Sequence, residues 1–314
     1  MKAAQIISAF AKANKRMHLV GNLDAGAIVG LDLEGRWYAV FDGEVLNRVN
    51  PEAIAGQSTR DQYLNPGGDG LWPAPEGTTV GYEYAAGNWR VPPGLRAARY
   101  RVIESSQKSV LISAEVDLIN NQGRGIPTIF KRRIAVARSR HAVTVNVVET
   151  ITYIGQQPLR QTDGLLTPWT LCQFDCGLGC EVVFPCERKA SVRDLYDQPS
   201  DAQRTWSAKQ CRTRTDGSQR YQIAIDPSVP WIEFRDPRRG LVVRRQAESL
   251  SDGLSYIDIR DASPDISPTK KGVRYSVYSD VANFMEIEAA GGCPKVIMPD
   301  TELRLAVSTR YSRI

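Results

Sequence analysis

Histidine is almost missing from this chain: 314 residues contain two, His18 and His141. That excludes a histidine-rich metal centre and argues against a Ser-His-Asp hydrolase, since both need imidazole at defined places. His18 follows the N-terminal segment and His141 sits at an expected hairpin tip, so both read as structural or exposed. No run of about 18 apolar residues occurs, which excludes a transmembrane helix. Excess charge is small: 40 basic against 35 acidic residues leave +5. The basic pairs Arg238–Arg239 and Arg244–Arg245 are scattered over separate segments, so neither nucleic acid nor a membrane surface is expected as a partner. A phosphate-cradling P-loop, a GxSxG elbow and an HExxH motif are all missing. No repeat of fixed period occurs, so a propeller or solenoid is not expected.

Cysteine is sparse and unevenly placed. Cys172, Cys176, Cys180 and Cys186 fall in one stretch, with Cys211 and Cys293 distant. Their spacing lacks the second pair or the histidines of a zinc site, so they read as buried or loop thiols. Neither a metal nor a cofactor is expected.

What the sequence does have is β pattern. AGAIVGLDL, RWYAVFD, KSVLISAEVDL, AVTVNVVETITYI and ELRLAVSTRY are rich in β-branched and aromatic residues, and several alternate apolar with polar positions. Helical spacing is confined to the N-terminus, where Ile6, Ile7, Phe10 and Ala13 recur on one face, and to a weaker stretch around RDQYL. Gln5 and Ser8 interrupt the N-terminal apolar run, so it reads as an amphipathic helix rather than a leader, and the expected location is cytoplasmic. No linker divides the chain. We expect one all-β domain over 1–314, with Gly/Pro-rich binding loops at 65–98 and 185–219.

Three segments carry candidate chemistry. The first is NPGGDGLWPAPEGTTVGYEYAAGNWRVPPG, from Asn65 to Gly94. It places Trp72, Tyr82, Tyr84 and Trp89 near the carboxylates of Asp69 and Glu76. Sugar rings stack on such aromatic faces while their hydroxyls bond acids. The second is FMEIEAAGG, where Glu286 and Glu288 share one strand face roughly 7 Å apart and Met285 and Ile287 face the core. Paired carboxyls repel, which raises at least one pKa and can poise a general base. The third is LLTPWTLCQF, which puts Thr167, Trp169, Leu171 and Gln173 on one line. Each segment also has a purely structural reading: a loop pin, a solvated strand face and a buried core tryptophan.

Taken in order, GGDGLWPAPEG, LLTPWTLCQF and FMEIEAAGGCPKVIMPDTELRLAVSTRY resemble an uncharacterised family related to the galactose mutarotases. The resemblance implies a galactose mutarotase-like β-supersandwich with a short N-terminal helix, and a carbohydrate ligand held in a cleft of the concave sheet. It implies Glu288 as general base, with Glu286 or Glu76 as partner acid, and Trp72, Glu76, Asp69, Trp169 and Gln173 as sugar-binding residues. Two departures stand out. The histidine that protonates the ring oxygen in true mutarotases has no counterpart in 168–173, and Gly70 stands where the related family often has a basic residue. The acid would then be Glu286, Glu76, a tyrosine such as Tyr82, or water. A non-catalytic sugar-binding protein and a structural or assembly protein on the same scaffold remain the alternatives. Oligomeric state is left open.

Overall fold

The computed structural model describes residues 1–59, 62–82, 91–186 and 191–313. Tyr84 and Trp89 lie outside the described residues. Two large antiparallel sheets face each other across a shared apolar core. The fold is all-β, as the alternating segments predict.

The first sheet runs, from one edge, through Met17–Gly21, Ala25–Gly30, Trp37–Phe41, Asp69–Ala74, Thr167–Asp175, Phe284–Ala290, Tyr275–Asp280, Tyr221–Ile225 and Val192–Asp194. The second includes the long strands Ser109–Ile119, Gly125–Ser139, Ala142–Tyr153 and Glu302–Arg313. On Ser109–Ile119, Val110, Ile112, Ala114, Val116 and Leu118 are buried while the alternate residues are half-buried or exposed. That period of two marks a sheet with one face on the core and one toward water. The first sheet differs. Asp69–Ala74 is buried at every residue, as is Thr167–Asp175 up to its last, and Phe284–Ala290 after its first. Both of its faces are therefore covered.

Helix and loop supply the outer cover. The N-terminal helix Ala3–Lys12 buries Ala3, Ile6 and Phe10 against Ile28, Tyr38 and Val40. Residues 77–79 join 260–266 through three backbone bonds, Gly77 N to Arg260 O, Thr78 N to Ala262 O and Thr79 N to Ile266 O. Gly77 permits that junction, since a Cβ there would come within 2.3 Å of the Ala262 nitrogen.

Three expectations are corrected. Residues 65–98 are not one loop, because Asp69–Ala74 is an interior strand of the first sheet. Its glycine and proline disguise it. Pro73 pairs with Pro168, and each lies beyond the neighbouring strand's pairing on its other side, so the missing N–H groups cost no ladder bonds. Residues 185–219 likewise hold the short strands Val192–Asp194, Arg204–Trp206 and Gln210–Arg214. The weak helical pattern around RDQYL is not helical at Gln62–Leu64, and Arg60 and Asp61 lie outside the described residues. The second helix is instead Pro51–Ala55, opened by an Asn50 cap that accepts from the Glu52 N–H, with proline at the first position.

Candidate active site

Register decides which side chains meet. On the outer face of the first sheet, Glu286 pairs with Gln173 on one side and Tyr278 on the other, and Glu288 pairs with Leu171 and Ser276. Trp169 stands opposite Trp72, and Gln222 opposite Tyr278. Met285 and Ile287 point into the sandwich and are fully buried there.

The two glutamates are at the centre of a polar cluster. Trp169 Nε1 donates to Glu288 Oε2 at 3.1 Å, and Gln222 Nε2 donates to Glu288 at 3.1 and 3.2 Å. Gln173 Nε2 donates to Glu286 Oε1 at 2.6 Å. The charge of Glu286 reaches Glu288 and raises it. Each glutamine spends its NH2 on the acid pair. The Gln173 and Gln222 Oε1 atoms are buried and have no protein partner among the described residues. Trp72 meets Trp169 edge-on at 6.1 Å and Tyr63 at 6.3 Å.

Burial pushes Glu286 up to about 7, against the pull of Arg36 and Gln173. Glu288 is raised further, by burial first and then by the charges of Glu286 and Glu76. The negative charge of either carboxyl opposes ionisation of the other, so the pair resists losing both protons. The charge of Arg36 lowers Glu286 and that of Glu76 raises Glu288, a bias toward ionisation at Glu286.

The sign of the pH dependence follows. Both groups bind protons more tightly folded than unfolded, so their stabilising contribution is full below about pH 4.5 and is lost as pH rises through about 7. Melting curves of the double variant Glu286→Gln/Glu288→Gln should therefore lose less stability than wild type between about pH 5 and 8. Parallel losses in the two proteins would contradict the buried pair.

The structure brings together Glu286, Glu288, Trp72, Trp169 and Gln173, with Glu76 acting on Glu288. It does not bring Asp69 to this face. Asp69 points between the sheets, where Oδ1 meets Arg132 at 3.0 Å and Oδ2 meets Arg245 at 2.6 Å. The reason is parity: within the Asp69–Ala74 strand, Gly70 and Trp72 face outward, so Asp69 faces the core. Tyr82 is removed as an acid candidate too, because its buried hydroxyl donates to the Leu165 carbonyl. Sequence reasoning missed Arg36, Gln222, Tyr278 and Arg220. Gln222 was findable, as a lone polar residue in the apolar strand YQIAI. Arg220 lies over Tyr196 at 4.7 Å and donates through Nε to Tyr278 at 3.0 Å, linking separate segments that no spacing announces. Among the described residues, no three histidine, cysteine, aspartate or glutamate side chains cluster to hold a metal ion. All six cysteines are buried.

Two opposed antiparallel sheets, one roofed and carrying a buried carboxyl pair, define a galactose mutarotase-like sandwich, and known structures agree. The chain has 10% identity with a galactose mutarotase-like protein from Lactobacillus casei, with 94% of this chain and 100% of that one covered at a TM-score of 0.58. A Synechocystis sp. PCC 6803 protein matches at 14% identity and 0.57, covering 95% and 96%. A galactose mutarotase related enzyme from Lactobacillus acidophilus matches at 10% and 0.51, covering 94% and 97%. Identities this low establish fold alone. Residues 39–231 match the model of a family of unknown function, DUF6786, and the chain belongs to that family. No curated protein sequence matches it.

Proposed function

We propose that the protein binds a carbohydrate on the roofed face of the first sheet and interconverts its anomers by acid–base chemistry. One observation carries this reading. A buried carboxyl pair lies beside two tryptophans and two buried glutamine carbonyls that have no protein partner among the described residues. Sugar hydroxyls supply the donors those carbonyls lack, and aromatic rings supply the apolar surface sugar C–H groups need.

A sugar enters against the two carboxyls. The Glu286 carboxylate takes the proton of the anomeric hydroxyl. As the C1–O5 bond breaks, the ring oxygen takes the proton held by Glu288. Rotation about C1–C2 and reversal of the same transfers give the other anomer, with both protons returned. This reverses the roles that the resemblance implies for the two glutamates, because Arg36 favours charge on Glu286 and Glu76 disfavours it on Glu288. No histidine is needed in this scheme.

The test is a thermal-shift screen of neutral, acidic and phosphorylated sugars, since any ligand of the folded state raises its apparent stability. Stabilisation by at least one sugar in wild type supports the reading, and no shift across the set counts against it. Trp169→Phe keeps the ring but removes the donor to Glu288. It should lower kcat/KM by roughly tenfold or more with only a small fall in Tm. Unchanged turnover would mean that Trp169 only packs.

A further inference from the structure

A cavity of about 620 Å³ lies away from the carboxyl pair. It is formed mainly by the turn after the N-terminal helix, residues 32–34, the end of the Pro51–Ala55 helix with residues 56–58, and residues 96–99 at the end of a third helix, Pro93–Ala97. Its volume is that of a site for a small molecule. None of its described lining residues is aromatic.

The charges around it do not balance. Two acids line the cavity, and each is already matched. Asp32 meets Arg16 at 2.5 Å, and Glu34 meets Arg36 at 3.2 Å and the Tyr63 hydroxyl at 2.9 Å. Three cations also line it, Lys15, Arg96 and Arg99, and none of them forms an ion pair among the described residues. Lys15 Nζ donates to the Ala53 carbonyl at 2.8 Å and to the Gly56 carbonyl at 2.5 Å, which leaves one N–H. Carbonyls at a helix end repel an anion, and the ammonium covers them. Burial pushes the Lys15 ammonium below its ordinary value, the mark of a cation taken partly out of water without a counter-charge. Arg96 donates through Nη1 to the Thr59 carbonyl, so its Nε and Nη2 are unspent. Arg99 is exposed, and its guanidinium has no hydrogen bond to any described residue.

We propose that this cavity binds a small phosphorylated polyol, its phosphate on Lys15, Arg96 and Arg99 and its hydroxyls on Asn14, Gln57 and Ser58. A phosphate monoester carries about −1.5 to −2 charges near pH 7 and presents three acceptor oxygens. Guanidinium forks and an ammonium are the groups that match it. A single carboxylate would leave most of the positive charge uncompensated. Inorganic phosphate would fill only part of the volume, and the remainder is lined by neutral polar groups. Ser58 Oγ accepts from the Leu64 N–H at 3.0 Å and keeps its own proton to give. The side-chain amides of Asn14 and Gln57 line the cavity without a partner among the described residues. Without an aromatic ring in the lining nothing stacks on a nucleobase, which favours a sugar-like body over a nucleotide. The proposal goes beyond the acid–base reading and does not depend on it, since none of these six side chains bonds to Glu286 or Glu288.

The test is a titration of the full-length protein with ribose 5-phosphate, ribose, inorganic phosphate and AMP, read by calorimetry and by amide shifts in 15N NMR. All four are compared at one ionic strength, so that screening is constant. Ribose 5-phosphate should bind saturably with a Kd of about 1 mM or below and move the amides of Asn14, Gln57 and Ser58. Inorganic phosphate should bind more weakly at the same place, and ribose should leave those amides unmoved. Arg96→Ala and Arg99→Ala should each weaken ribose 5-phosphate by roughly tenfold or more. Arg99→Ala removes no contact within the protein, so its Tm should match wild type and its loss of binding cannot be blamed on unfolding. No saturable binding of ribose 5-phosphate, an unchanged affinity in both variants, or shifts confined to the strands around Glu286 and Glu288 would each overturn the proposal. Inorganic phosphate binding as tightly as ribose 5-phosphate would overturn the polyol contacts, and tighter binding of AMP would overturn the choice against a nucleotide. Phosphate-dependent binding at this cavity in a protein that exchanges no anomers would keep the proposal and remove only the activity proposed above.

Discussion

Asp69→Ala is expected to destabilise the protein by about 3–5 kcal/mol, because it strands buried charge. In the interior Arg132 meets Glu149 at 2.7 Å and Asp69 at 3.0 Å, and also donates to the Gly35 and Asp69 carbonyls. Arg245 has Asp69 as its carboxylate, with Thr309 and Thr170 as its other partners. All four charged side chains are at most 1% exposed. Removing Asp69 leaves Arg245 with hydroxyls alone and an excess of positive charge in a medium that solvates it poorly. For a chain of this size the fall in Tm should be on the order of 10 °C. Sugar affinity, measured below the new Tm, should be nearly unchanged. A stable variant with weakened sugar binding would put Asp69 back in the ligand site.

Glu286→Gln should reduce anomer interconversion by roughly 10²–10⁴-fold while sugar binding persists, because the amide keeps shape and hydrogen bonding but cannot take a proton. Glu288→Gln tests the other half of the assignment. Its amide also cannot deliver a proton to the ring oxygen, but it should not lower the Glu286 midpoint, since the protonated Glu288 that it replaces holds Glu286 down rather than up. The two variants should therefore differ in pH profile as well as rate. Identical profiles would mean that neither glutamate has a fixed role.

Much of this site was readable before any coordinates. Glu286 and Glu288 lie two apart in an unmistakable strand, so their common face follows from the pleat. Trp169 and Gln173 share a face for the same reason. Which face carries the chemistry was not readable for the Asp69–Ala74 strand. Gly70 and Pro73 hide it as a loop, and without its strand parity Asp69 and Trp72 looked like neighbours in one site. The polar partners from other strands were also hidden. Gln222 reaches Glu288 across the one intervening strand, Tyr275–Asp280, and Arg36 comes from before the Trp37–Phe41 strand through the gap at Gly70. Such encounters depend on sheet order, which local patterns do not encode. The N-terminal helix shows the opposite case, since the spacing of Ile6 and Phe10 alone fixes which side packs.

The most direct test of the account follows anomer exchange in wild-type protein, by optical rotation of freshly dissolved aldoses and by magnetisation transfer between anomeric protons at equilibrium. Sugars that stabilise the fold should be used first. The account predicts exchange well above the buffer-catalysed rate for at least one of them. A sugar that binds while its anomers exchange at the buffer rate would contradict the catalytic claim and leave a recognition protein.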